Sequence, residues 1–258
     1  MSLVFYEKSH RYKLDGHWVP GVTSLIKGGL PSPALMYWSA RAVAEYVADN
    51  PDAIEQLRAM GRAPMVNALK EVPWQQRDEA QVKGTEVHAL AEQLVAGGQV
   101  DIPEHLTGYV EACVDFLDTW KPQPIIIERP LAHRGHWWAG KPDLFASLPD
   151  GRVLLYDYKT SRSGIWPETA FQLSAYSHAE FYLAEDGTEQ PIPPVDLCAA
   201  VWLRADGYEV VPVKADDDVY KEFRHLAYVA GAAKRAKGST TEAGYVGQPL
   251  GPPQESAA

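Results

Sequence analysis

The chain has 258 residues, 46% of them hydrophobic and 22% charged, a globular composition that excludes wholesale disorder. Its 24 basic and 34 acidic residues leave a net charge of −10, which excludes a protein that coats DNA through general basicity but not a nucleic-acid enzyme whose carboxylates hold divalent ions. No apolar run approaches the roughly 18 residues of a membrane span, and the opening MSLVFYEKSHRYKL lacks the basic-then-apolar pattern of a secretory leader.

In chain order, short strands are predicted at 4–6, 11–14 and 17–19, with Asp15-Gly16 as a hairpin turn. Thr23 or Ser24 caps a short helix that Gly28-Gly29 stops. Pro31 and Pro33 precede a helical stretch to Asn50. From 51 to 97 the pattern is mainly helical, with breaks near Gly61 and Pro73. Its longest piece, about 75–96, puts Val87, Leu90, Ala91 and Leu94 on one face. A helix at 104–120 follows. Strands are then predicted at 124–132, 141–148 and 153–159, the last two joined by a turn at Pro149-Asp150-Gly151. A helix at 168–183, strands at 196–203 and 208–213, and a helix at 216–237 complete the pattern. That last helix carries acids at its start and Lys234, Arg235 and Lys237 at its end, in accord with the helix dipole. Residues 238–258 are rich in Gly, Pro, Ser and Thr and are expected to form a flexible tail.

Segregated helices with hairpin-linked strands predict an α/β (α+β) fold built on a mixed sheet. No parallel βαβ repeat is evident, and no glycine-rich phosphate loop of either common pattern occurs. The expected organisation is a hairpin and helical region at 1–74 packed on a core at 75–237, then the tail.

Three successive strands each bring an acid: Glu128, Asp143 and Asp157. Side chains two apart on a strand share a face, so Asp157 and Lys159 point one way and Tyr156 and Tyr158 the other. Such a pair is either a strand-edge ion pair or a metal ligand beside a cation that holds water. Asp143, next to a proline, would supply a second oxygen to a hard divalent ion. Alone, Asp-x-Lys is common, and His88 on its helix reads equally as a packed histidine.

Together, Gly140-Lys141-Pro142-Asp143 and Asp157-Tyr158-Lys159-Thr160 resemble the signature of the PD-(D/E)XK nuclease superfamily. Phe171-Gln172-Leu173-Ser174-Ala175-Tyr176 resembles the further motif of its RecB-like exonuclease branch, and Gly84-Thr85-Glu86-Val87-His88 resembles that branch's helix histidine motif. The resemblance spans about 84–176 and implies a restriction-endonuclease-like αβββαβ core with an N-terminal helical elaboration. It implies a DNA exonuclease dependent on Mg²⁺ or Mn²⁺, in phage or bacterial recombination, repair or DNA processing. The alternatives are a structure-specific or nicking endonuclease of the same fold, or a non-catalytic DNA-binding module with a retired site. By the same resemblance His88, Asp143, Asp157 and the Tyr158 carbonyl bind the metal, and Lys159 positions or deprotonates the attacking water. Glu128 either binds a second metal or ends its strand in solvent. Gln172 and Tyr176 contact the DNA backbone or orient ligands. Glu92, one turn after His88, either orients its ring or pairs at the surface.

Arg162 and Trp166, in the loop after Asp157-x-Lys159, either grip phosphate and stack a base or belong to a mobile polar loop. Of the neighbours Trp137 and Trp138, one is expected in the core and the other at the surface. A basic channel would draw on Arg41, Lys83, Lys141, Arg162 and Lys221. The hairpin and the helix bearing Trp38 resemble phage-encoded relatives and suggest a lid or channel wall. Cys113 and Cys198 are too few for the four-cysteine iron–sulfur cluster of some RecB-like relatives, or for a disulfide framework, and a reducing cytoplasm (the host's, if phage-encoded) is expected. DNA is the expected partner, with a recombinase, helicase or single-strand-binding protein as candidate associates. No membrane association is expected, and oligomeric state is left open.

Overall fold

Alternation of inward and outward residues builds the first element. In the computed structural model, which describes residues 3–237, β1 (Leu3–Tyr6), β2 (Arg11–Leu14) and β3 (His17–Val19) form an antiparallel sheet in that order. Asp15 (φ 50°) and Gly16 (φ 83°) are both left-handed, as a two-residue turn between right-twisted strands requires. Leu3, Tyr12, Leu14 and Val19 face a small core shared with Ala132, Ala139 and Phe181. The expected tail at 238–258 lies outside the described residues.

Helix α1 (Val22–Gly29) has its N-cap at Gly21, two residues before Thr23, and neither Thr23 nor Ser24 caps it. Next come α2 (Pro33–Asp49), α3 (Pro51–Ala59) and α4 (Arg62–Val95). Gly61, with φ 101°, separates α3 from α4 as expected, but Pro73 does not break α4. An internal proline costs a helix about 3 kcal/mol. Burial of Val72 beside it, with Ala42 of α2 and Ile54 of α3 also buried, offsets that cost. The boundary expected at 74/75 therefore falls inside one continuous helix.

After α5 (Thr107–Trp120), the strand predicted at 124–132 divides into β4 (Gln123–Ile127) and β5 (Leu131–His133), which join different sheets. The chain turns between them at Glu128, whose φ of 49° no strand accommodates. The strand predicted at 141–148 corresponds to β7 (Leu144–Ser147), and a further short strand, β6 (Trp138–Gly140), precedes it. β8 (Val153–Lys159) has its predicted bounds. The helix expected at 168–183 stops early: α6 is Glu168–Ser177, and Phe181–Leu183 forms β9 against β5. There Glu180 N–H donates to Ala132 O and Phe181 enters the hairpin core, so tertiary pairing overrides helix propensity. β10 (Glu189–Pro191), β11 (Leu197–Arg204), β12 (Gly207–Val213) and α7 (Asp217–Lys237) follow.

The central sheet has the order β12-β11-β8-β7-β4, and a second sheet the order β10-β9-β5-β6. β8 pairs antiparallel with β7 but parallel with β11, so α6 lies in one parallel crossover, where no parallel βαβ unit was expected. Buried on both faces, β8 is almost continuously apolar. Leu154, Tyr156 and Tyr158 pack with Phe116 of α5 and Val87 of α4, while Leu155 packs with α1, α6 and α7. The chain is thus an α/β protein with a mixed sheet. No helix among the described residues is long and apolar enough to cross a membrane.

Candidate metal centre

The site forms where β7 and β8 part company. Leu144 pairs with Tyr156, so one step further on Asp143 lies across from Asp157. Pro142 cannot continue the ladder. Asp143 Oδ2 takes its place, accepting the Tyr158 N–H at 2.6 Å. Asp143 is thereby locked between the strands. The Tyr158 side chain points away into the core, edge-on to the ring of Phe116.

Helix α4 crosses this strand end at Gly84, where an added Cβ would lie 3.4 Å from Thr160 Oγ1. One turn later His88 Nδ1 lies 3.5 Å from Asp143 Oδ2, and its ring stands edge-on to Tyr158. Glu128 completes the group. His88, Glu128 and Asp143 each bring a ligand atom to within 4.8 Å of the others. An octahedral Mg²⁺ with bonds of about 2.1 Å spans donors up to about 4.2 Å apart, so small side-chain adjustments would close the set. Two carboxylates and one imidazole suit a hard or borderline divalent ion.

Glu128 is held in an uncommon conformation. A left-handed residue with a Cβ costs roughly 1–2 kcal/mol, and here Glu128 N–H donates to Asp143 O at 3.1 Å while Lys141 Nζ sits 2.6 Å from Glu128 Oε2. Burial, then the nearby Asp143 charge, pushes the Glu128 carboxyl up to about 7, against the pull of Lys141. Strain and an unfavourable charge at one residue are features of ligand-holding sites.

Asp157 and Lys159 share a face of β8, as their spacing requires, and form an ion pair. Asp157 is only 1% exposed. Gln172, on α6, bridges the pair: its Nε2 donates to Asp157 Oδ1 at 2.9 Å, and its Oε1 accepts from Lys159 Nζ at 3.3 Å. Burial raises the Asp157 carboxyl, as does Asp143, although Lys159 opposes this. The Lys159 ammonium is lowered by burial but raised overall by Asp157 and Asp143, so it is charged in the ion-free protein. Burial also raises Asp143, yet His88 outweighs it and holds that carboxyl low.

Burial pushes the His88 imidazole down, but Asp143 and then Asp157 lift it to about 9. A folded value above the ordinary one means that the charged pair stabilises the fold fully below about pH 6.5 and loses that contribution as pH rises through 9. The His88 side chain is 30% exposed, which reduces the full linkage figure to about 2 kcal/mol. In metal-free urea unfolding, His88→Gln is therefore expected to be about 2 kcal/mol less stable than wild type at pH 6 and nearly equal to it above pH 9.5. A difference that does not change with pH would show that the His88–Asp143 pair does not titrate this way.

Several sequence expectations change in three dimensions. Gln172 has both ends of its amide committed to Asp157 and Lys159, which makes it an orienting group rather than a DNA contact. Tyr176 is 3% exposed and packs against Gly140, so it does not reach a ligand surface. Lys141 pairs with Glu128 instead of standing open to phosphate. Within the expected basic channel, Arg41 pairs with Glu45, Lys221 with Asp218, and Lys83 donates to Tyr109 OH. Arg162 is exposed, and Trp166 is 45% exposed with Nε1 donating to Ser163 Oγ. Trp138 is buried and Trp137 exposed. Glu92 adds negative charge near Glu128, whereas Glu86 pairs with His105.

A groove of about 650 Å³ opens beside Glu128 and Lys141, walled by Phe5 of the hairpin, Glu92 of α4 and Arg129. The Lys141–Glu128 contact joins residues 13 positions apart and has no local signature beyond a lysine beside the proline that ends strand pairing.

No family model matches the chain, and no curated protein matches it. Among solved structures, the crystal structure of SSO0001 is similar at 13% sequence identity and a TM-score of 0.30, covering 55% of this chain and 67% of that one. A likeness at that level carries no argument about fold or activity.

Proposed function

We propose that the chain is a divalent-metal-dependent deoxyribonuclease of the PD-(D/E)XK type, acting as an exonuclease in phage or bacterial DNA recombination, repair or processing. The observation that supports this best is the convergence of His88, Glu128 and Asp143 around one point, with the Asp157–Lys159 pair on the adjoining strand. The central-sheet order of α5, β4, β7, β8, α6 and β11, interrupted in the chain by the second-sheet strands β5, β6, β9 and β10, supports this reading. Two free, buried cysteines suit the proposed cytoplasmic location.

Mg²⁺ or Mn²⁺, when bound, would lower the pKa of a coordinated water and stabilise charge on the phosphoryl oxygens. His88, Glu128, Asp143 and Asp157 would hold it. Each remaining role belongs to this chain's own atoms. Gln172 fixes Asp157 and Lys159 relative to each other. Lys159 places an ammonium where a phosphoryl oxygen gains charge and orients the attacking water. The strand gap filled by Asp143 keeps that carboxylate from rotating.

Digestion of DNA labelled at the 5′ or 3′ end, linear and circular, with Mg²⁺, Mn²⁺ or EDTA, tests this reading. Linear ends are expected to shorten progressively with either ion, circles to stay intact, and EDTA to stop the reaction. Cut circles would instead identify an endonuclease of the same fold. No cleavage with either ion would overturn the nuclease reading.

A further inference from the structure

We propose that the outer face of the N-terminal hairpin, together with the groove between it and the end of α7, binds single-stranded polynucleotide. The face follows from strand register. Tyr6 pairs with Arg11, and Lys13 pairs with Trp18, so these four side chains project from the same side of the sheet while Tyr12 and Leu14 point into the core. Arg11 Cζ lies 3.7 Å from the centroid of the Trp18 ring, and Lys13 Nζ lies 4.8 Å from it. The Tyr6 and Trp18 rings are 5.3 Å apart. Tyr6 is 40% and Trp18 46% exposed.

Among the described residues, the cations of this face are not neutralised by carboxylates, as many of the chain's arginines are. Arg41, Arg77, Arg129, Arg134, Arg152 and Arg204 each pair with a carboxylate. Among the described residues, neither Arg11 nor Lys13 does. Next to Trp18 a groove of about 550 Å³ runs to the last turns of α7, where Lys234 and Lys237 join His10 and Arg11 along its rim. No described carboxylate lines it. In a chain of net charge −10, a surface of cations and exposed rings without acids complements a ligand that has both a phosphate backbone and unpaired π faces. A duplex hides its base faces, so the single-stranded form is the better match. The inner face of the same hairpin reaches the candidate metal centre, where Lys141 Nζ lies 5.6 Å from the Phe5 ring.

This inference deepens the nuclease reading, but its test contains no divalent ion. Fluorescence anisotropy of labelled oligothymidylate and oligouridylate of about 20 nucleotides is measured with the full chain in EDTA, over roughly 50 to 300 mM salt. Wild type is expected to bind with an affinity that falls as salt rises. Arg11→Gln with Lys13→Gln should flatten the log–log slope by about 1.4, at about 0.7 per lost phosphate contact. Trp18→Ala should weaken binding about tenfold at each salt concentration with little change in slope, and Trp18→Phe should restore most of it. Equal affinity for the two oligomers marks recognition of shared backbone and base chemistry, and a preference identifies DNA or RNA as the source. The proposal is overturned by absence of wild-type binding at low salt, by unchanged binding in these variants, or by a duplex that binds as tightly as the single strand and does so without Trp18. If binding behaves as expected but no cleavage occurs with Mg²⁺ or Mn²⁺, the nuclease reading fails and this one stands.

Discussion

Asp157→Asn is expected to reduce metal-dependent DNA cleavage by about 10³-fold or more while its melting temperature holds or rises. Charge stabilisation at such a centre is worth several kcal/mol, and each 1.36 kcal/mol corresponds to a factor of ten in rate. The stability half of the expectation separates function from architecture. Asp157 is buried, and its carboxyl is raised by that burial and by Asp143, so the fold is burdened by the ionised form. A raised carboxyl contributes most below its ordinary pKa and loses that contribution as pH rises through the folded value. At neutral pH, asparagine removes the unfavourable charge and keeps an oxygen for Gln172 Nε2, which now reaches Asp157 Oδ1 at 2.9 Å. The opposing effect is loss of the Lys159 partner, but Lys159 is 27% exposed and retains Gln172 Oε1. End-labelled cleavage assays and calorimetry on the same preparation check both halves. Unchanged cleavage would remove Asp157 from the chemistry. A large drop in melting temperature would mark the pair as structural.

Gly29→Ala is expected to destabilise the protein by about 2–4 kcal/mol, lowering its melting temperature by roughly 8 °C. Helix propensity alone points the other way, since alanine is favoured over glycine by about 1 kcal/mol within a helix. The contact decides the sign. A Cβ at Gly29 would lie 2.2 Å from Leu226 O and 2.9 Å from Leu226 Cα, backbone atoms of α7 that cannot rotate aside. Helices α1 and α7 would have to separate, loosening Val22, Ile26 and Phe223 in the core. Gly84→Ala provides the contrast: its Cβ meets only Thr160 Oγ1, at 3.4 Å, and its melting temperature is expected to stay near wild type. Thermal unfolding of both variants checks the pair. A Gly29→Ala protein as stable as wild type would show that the two helices pack less closely than the structure has them.

Gly28-Gly29 also shows how a correct local reading can miss the reason for a residue. The glycines do end α1, but a helix stop needs only backbone freedom, whereas the notch against α7 needs the absence of a side chain. Nothing within ten residues of Gly29 identifies Leu226 as its neighbour. The same limit applies at Gln172 and Tyr176. Their spacing puts them one turn apart on α6, yet one bridges Asp157 to Lys159 and the other is sealed against Gly140. Lys141 looked available to a phosphate until Glu128 turned left-handed and met it.

Elements whose signal is local were legible from residue order alone: the Asp15-Gly16 hairpin, the strand at 153–159 and the break at Gly61 depend on backbone sterics and period-two alternation among near neighbours. The same alternation put Asp157 and Lys159 on one side of their strand. Tertiary structure alone decided where the chain leaves a sheet and what each charge meets. It divided residues 123–133 between two sheets, ended α6 so that Phe181 could enter the hairpin core, and carried α4 unbroken through Pro73. It also gathered His88, Glu128 and Asp143 from a helix and two strand ends. Those outcomes depend on contacts between residues tens of positions apart, whose packing and desolvation free energies exceed the local preferences they overrule.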